Sequence, residues 1–134
     1  MHRSRLYGLF VDTPAPDAPA AAAFWSAALG VPAVPESHEE QFTMLRGAFP
    51  ALAIGVQAVG DADRGAVDDA PRYHVDIETD DHEAEAARLT GLGAIEINRW
   101  LDCHIMRAPG GHLLCVVPVH SDAELFAAQA TAWP

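Results

Sequence analysis

The sequence predicts an α+β fold: two βαβββ modules placed edge to edge, forming an eight-stranded curved sheet, or cup, with helices on its convex side. Three observations predict it. Apolar runs punctuated by Gly, Pro and Asp give the order strand, helix, strand, strand, strand twice within 134 residues. An acidic, aperiodic stretch separates the two copies. Each copy has one helix, enough to cover one face of a four-stranded sheet, so the other face needs a second layer or a ligand. The expected organisation is a single domain over 1–134, with a first module at 5–59, a linker at 60–70, a second module at 71–119 and a C-terminal tail at 120–134.

In chain order, residues 6–12 (LYGLFVD) read as a strand because aromatic and β-branched residues dominate a short run that ends at a proline-rich turn. Asp17 is placed to cap a helix over 20–29, Pro19 fits its first turn, and Gly30 closes it. Residues 31–35, 42–46 and 51–59 are three further short strands. The stretch 60–70 (GDADRGAVDDA) is the linker. Residues 72–78 (RYHVDIE) alternate at period two, and Asp80 or Asp81 caps a helix over 82–92 with Ala84, Ala87 and Leu89 for its buried side. Gly93 ends that helix, and strands follow at 94–99, 103–107 and 112–119. The tail, 121–130, reads as a short capped helix.

Composition narrows the function. Half the residues are hydrophobic, which excludes a disordered chain, and no apolar run approaches the roughly 18 residues of a membrane span. Eight basic residues, all Arg, stand against 19 acidic ones, a net charge of -11. Such a surface repels phosphate backbones and anionic lipids, so neither nucleic acid nor membrane is an expected partner. The N-terminus lacks the apolar stretch of a signal peptide, and Cys103 and Cys115 are too few for a disulfide framework. The expected location is the cytoplasm, with both thiols free.

Strand faces carry the remaining information. In 72–78, Tyr73, Val75 and Ile77 point one way and His74, Asp76 and Glu78 the other. The polar set is either the wetted side of an edge strand or the lining of a cleft, and alternation alone leaves both open. Asp12 shares a face with Gly8 and Phe10, where it caps a turn or places a carboxylate at a cleft mouth. Gln57 is the lone hydrogen-bonding side chain of its strand. Trp100 is a cleft-wall aromatic or a loop anchor. Trp25 is expected in the core, and His104 and His112 at the surface or cleft rim. Neither histidine has a metal-binding spacing such as HExxH.

Three motifs in order then resemble one family. They are Phe24-Trp25-Ser26-Ala27-Ala28-Leu29-Gly30, the strand Arg72-Tyr73-His74-Val75-Asp76 with its helix end Arg88-Leu89-Thr90-Gly91-Leu92-Gly93-Ala94, and the hairpin from Ala108-Pro109-Gly110-Gly111 to Val117. Over about residues 5–118 the chain resembles the glyoxalase/bleomycin-resistance/extradiol-dioxygenase (vicinal oxygen chelate) superfamily, in its glyoxalase-like branch. The resemblance implies a cup that, in the family's enzymes, holds Fe, Mn, Ni or Zn through one residue from the first and last strand of each module. Those positions fall near Gly8, on or near Gln57, on His74 and on Cys115. Only His74 is a good ligand in the expected place, so no metal cofactor is expected; a metal, if bound, would use His74, Gln57 and Cys115.

Three functional readings follow. The first is a protein of the bleomycin-resistance kind that binds a small molecule in an apolar cup through Asp12, Gln57, His74, Asp76, Glu78, Trp100 and Cys115. The second is a lyase, isomerase or dioxygenase, with His74 as a metal-free general base oriented by Asp76 or Glu78. The third is a non-catalytic interaction domain. A homodimer is expected, its modules paired within a chain or exchanged between chains.

Overall fold

The first strand, β1 (His2–Pro14), is 13 residues long, reaching past both ends of the predicted 6–12. It opens a computed structural model that describes residues 1–60 and 70–134; the linker expected at 60–70 lies, but for its two ends, outside the described residues. A 3-10 turn (Ala15–Asp17) leads into α1 (Ala18–Leu29), followed by β2 (Ala33–Pro35), β3 (Phe42–Leu45) and β4 (Ala53–Val59). The second half gives β5 (Arg72–Thr79), α2 (His82–Gly91), β6 (Ile95–Trp100), β7 (Cys103–Arg107) and β8 (Leu113–Pro118). The tail folds as α3 (Ala123–Gln129) and a short β9 (Thr131–Trp133) that the sequence does not signal. The fold is mixed α+β: among the described residues nine strands pair in the order β2-β3-β4-β1-β5-β8-β7-β6, with β9 on β1. No helix among the described residues is long and apolar enough to cross a membrane.

The chain divides into two compact units, one of Gly8–His74 and one of Met1–Tyr7 with Val75–Pro134. In the first, β1 runs parallel to β4, from Gly8 opposite Ala53 to Asp12 opposite Gln57 and Pro14 opposite Val59. Parallel neighbours need a long crossover, and α1, β2 and β3 supply it. Phe10, Met44, Leu45, Val56 and Val59 are buried there. Gly30 closes α1 in the left-handed conformation, as expected (φ 68°). Two expectations fail at this helix. Asp17 stands at the N-cap without a side-chain capping bond. Trp25 is half-buried and packs edge-on against the exposed Phe24, 5.2 Å between ring centroids; the small Ala22 is the residue α1 buries.

In the other unit, β8 runs parallel to β5, and β7 and β6 follow antiparallel. Asp81, the second of the two expected caps, accepts a hydrogen bond from the Ala84 N–H at the start of α2. Ala86 of α2 joins Ala94, Met106, Leu114 and Val116 in the core, with Val75, Ile77 and Leu89 packed against it. The apolar side of β5 thus faces α2 through Val75 and Ile77, whereas Tyr73 is exposed. Ala87, expected on the buried side of α2, is exposed, and Glu85 is buried instead. Burial of that carboxylate is tolerable because His2, Ser4 and Arg88 all bond to it. The tail packs by Phe126, and Trp133 Nε1 donates to Ser4 Oγ.

Candidate functional site

The two faces of β5 settle the first question that alternation left open. His74 and Asp76 are each 7% exposed and Glu78 is 0% exposed, so the polar side is buried and the wetted-strand reading is excluded. Buried polar side chains must find partners. What each one finds separates structure from site.

In the unit of Gly8–His74, the partner of His74 is Asp12, 62 residues earlier in the chain. Asp12 Oδ2 lies 2.9 Å from His74 Nδ1, and Oδ1 lies 2.8 Å from the same nitrogen. Asp12 is itself 7% exposed, and Oδ1 makes no hydrogen bond among the described residues. A carboxylate at Nδ1 fixes the imidazole tautomer: Nδ1 carries the hydrogen and Nε2 the lone pair. Phe10 stacks on the His74 ring at 5.4 Å and an interplanar angle of 20°, and Phe42 meets Phe10 edge-on at 5.3 Å. Gln57 stands opposite Asp12 in the β1–β4 register and opposite Phe42 in the β3–β4 register. Asp12, Gln57 and His74 therefore gather in one unit, backed by two aromatic rings. The fold places a carboxylate, an amide and an oriented imidazole there, a set able to bind a polar group or to move a proton.

The remaining candidates fall in the other unit. Asp76 shares the His74 face of β5 and stands opposite Cys115 of β8. Glu78 is fully committed: Oε1 accepts from Arg5 Nη1 at 2.8 Å and from Ser121 Oγ, while Oε2 accepts the backbone N–H groups of His120 and Ser121 at 2.8 and 2.9 Å. Burial alone would push its pKa up, yet the bonds from Ser121, His120 and Arg5 hold it below the ordinary glutamate value. Trp100 ends β6 opposite Cys103 and is 40% exposed. Cys103 and Cys115 are both free thiols, half-buried.

Sequence reasoning missed three residues. Phe10 shares the face of Asp12, and that parity was the available signal for its place beside His74. Arg5 lies in the first four residues of β1, ahead of the predicted start at residue 6, so the cation beside Glu78 went unseen. His104, expected at the surface or cleft rim, is 0% exposed; its Nε2 faces His82 and its Nδ1 faces Glu96, which makes burial of the imidazole possible.

The resemblance implies four metal positions, near Gly8, on or near Gln57, on His74 and on Cys115. Gly8 has no donor, and a Cβ built on it would lie 2.4 Å from the Ala53 carbonyl oxygen, so no ligating side chain fits without moving β4. Gln57 is a weak neutral donor, and Cys115 would be a soft thiolate where the family's enzymes carry a hard carboxylate.

A family model described as the glyoxalase-like domain matches residues 8–117. No curated protein matches the chain. Among solved structures, a xylose isomerase-like TIM barrel/4-hydroxyphenylpyruvate dioxygenase fusion protein superposes with a TM-score of 0.55 and 18% identity. The match covers 96% of this chain and 22% of that one, so the chain spans a minor part of that protein's length, and the likeness is one of fold.

Proposed function

The chain belongs to the family of glyoxalase-like domains, and from that premise we propose that it binds a small molecule at His74, without a catalytic metal. One observation carries the reading: a buried carboxylate, Asp12, whose hydrogen-bond partner among the described residues is a single imidazole. An acid kept for structure gathers several donors. An acid paired to one oriented imidazole keeps that ring in a defined tautomer, with Nε2 as the acceptor for a ligand hydroxyl or N–H. Gln57 adds an amide that both donates and accepts. The rings of Phe10 and Phe42 favour a ligand with an apolar body. The negative charge of Asp12 favours a neutral or cationic ligand over an anionic one.

A thermal-shift screen of neutral and cationic apolar compounds bearing a hydroxyl or N–H group tests this. A true ligand at 100 times its dissociation constant adds about 2.7 kcal/mol. The shift is expected in the native chain and lost in His74→Gln. A screen with no active compound, or a shift that His74→Gln retains, contradicts the reading.

The same dyad favours one alternative, lyase or isomerase chemistry with His74 as general base. The orienting carboxylate would be Asp12 rather than the Asp76 or Glu78 expected from the sequence, because Asp12 is the acid at Nδ1. Exchange of a bound ligand's C–H proton with deuterated water, abolished in His74→Gln, would distinguish catalysis from binding.

A further inference from the structure

We propose that the start of α2 and strand β7 together form a binding site for one divalent transition-metal ion of the zinc class, separate from His74. Its donors are His82, His104 and Glu83, each offering one ligand atom within 4.8 Å of the others. His82 and Glu83 are the first two residues of α2, and His104 is the second of β7. The fold brings together histidines 22 positions apart, which is why no short motif announces them.

The two imidazoles lie close enough to share an ion. His82 Nδ1 lies 2.9 Å from His104 Nε2. Two nitrogens bound to tetrahedral zinc at about 2.05 Å are about 3.3 Å apart, so the nitrogens need separate by a few tenths of an ångström while the rings turn to bring their lone pairs onto one point. The nitrogen of each ring that points away from this gap faces a carboxylate. His104 Nδ1 is 3.1 Å from Glu96 Oε2, and His82 Nε2 is 3.9 Å from Asp102 Oδ1. Metal-bound histidines characteristically donate their second N–H to such an acceptor. With Nδ1–H of His104 directed at Glu96, its Nε2 carries the lone pair. In the metal-free chain that lone pair accepts the Nδ1–H of His82. Metal binding moves the His82 hydrogen to Nε2, toward Asp102, and frees Nδ1 as the second ligand without net loss of a proton.

Glu83 completes the set, its Oε1 lying 4.0 Å from His104 Nε2. Arg99 bridges Glu83 and Glu96, with Nη1 2.7 Å from Glu83 Oε1 and Nε 2.9 Å from Glu96 Oε1. It holds the third ligand and the supporting acid at one place, with Oε1 the Glu83 oxygen that lies 4.0 Å from His104 Nε2. Two imidazoles and one carboxylate, with a fourth position for water, is an established zinc donor set, and imidazole also suits copper and nickel. His104 is fully buried while His82 and Glu83 reach solvent, so the site is both built and accessible. An ion there would pin the first turn of α2 to β7.

The test is calorimetric titration of chelator-stripped, tag-free protein with Zn²⁺ alone, paired with Co²⁺ substitution to read coordination from its visible absorption. The expected result is one Zn²⁺ per chain, a tetrahedral Co²⁺ spectrum, and at least about 100-fold weaker binding in His82→Ala. Glu96→Gln, which alters the supporting acid and not a ligand, should weaken binding about 10–100-fold. If His82→Ala does not fold, Glu83→Gln, altered at an exposed side chain, replaces it with the same expected loss. Absence of stoichiometric Zn²⁺ binding, or binding unchanged in these variants, overturns the proposal.

Discussion

Two buried carboxylates, Glu78 in one unit and Asp12 in the other, have opposite surroundings. Glu78 is 0% exposed and takes bonds from Arg5, Ser121 and His120, so both oxygens are satisfied and the tail after β8 is tied to the unit. Glu85 repeats the pattern with His2, Ser4 and Arg88. Asp12 is also buried, at 7% exposed, yet among the described residues it has His74 alone. Burial by itself does not mark a functional acid. What marks it is the number and kind of its partners: several committed donors make a structural joint, and one titratable partner makes a poised group.

The comparison can be broken by mutation, and the largest effect belongs to Glu78. Glu78→Ala removes the acid that pairs with Arg5, whose side chain is 4% exposed, and the acceptor of the His120 and Ser121 bonds, a loss of about 3–5 kcal/mol. Urea unfolding measures it, and ligand affinity at His74 should be unchanged in the chains that remain folded. Next comes acid. Despite the upward push of burial, hydrogen bonds hold both Glu78 and Glu85 below the ordinary value of 4.5. A lowered carboxylate contributes stability that is complete above the unfolded value and lost as pH falls through the folded one. The melting temperature should therefore hold from pH 7 to about 5 and fall steadily below 4.5. In Glu78→Gln, which also lowers the starting stability, that fall should be shallower. Smaller again is Gly8→Ala, whose Cβ meets the Ala53 carbonyl at 2.4 Å and should cost about 1–3 kcal/mol by thermal unfolding. An unchanged melting temperature there would mean that β1 and β4 can separate enough to admit a side chain, reopening the first ligand position of the family.

Much of this architecture was legible in the sequence because it rests on local rules. The alternation of Arg72 to Glu78 assigned the β5 faces correctly, and Gly30 and Asp81 ended and began their helices where the capping rules put them. The site was legible only in part. His74 and Asp12 stood out one at a time, but their pairing depends on which strands become neighbours, and no local signal reports that. The same gap hid the depth of Glu78, since strand periodicity cannot foresee an Arg5 that compensates a buried charge. Glu85 broke the expected apolar stripe of α2 for the same reason, and His104 was misplaced because its two partners, His82 and Glu96, arrive from different elements. Strand β9 is three residues long and held by pairing to β1, too short for any periodicity to show.

If Asp12 serves binding and not stability, Asp12→Asn will show it. The amide keeps the shape and an acceptor but removes the charge that orients His74. Measured on one plate, thermal unfolding with and without a compound that stabilises the native chain should show a loss of about 1 kcal/mol or less in the unliganded variant. The ligand-induced shift should nearly vanish in that same variant. A large drop in the unliganded melting temperature with the ligand shift intact would make Asp12 another structural acid, and would contradict the claim.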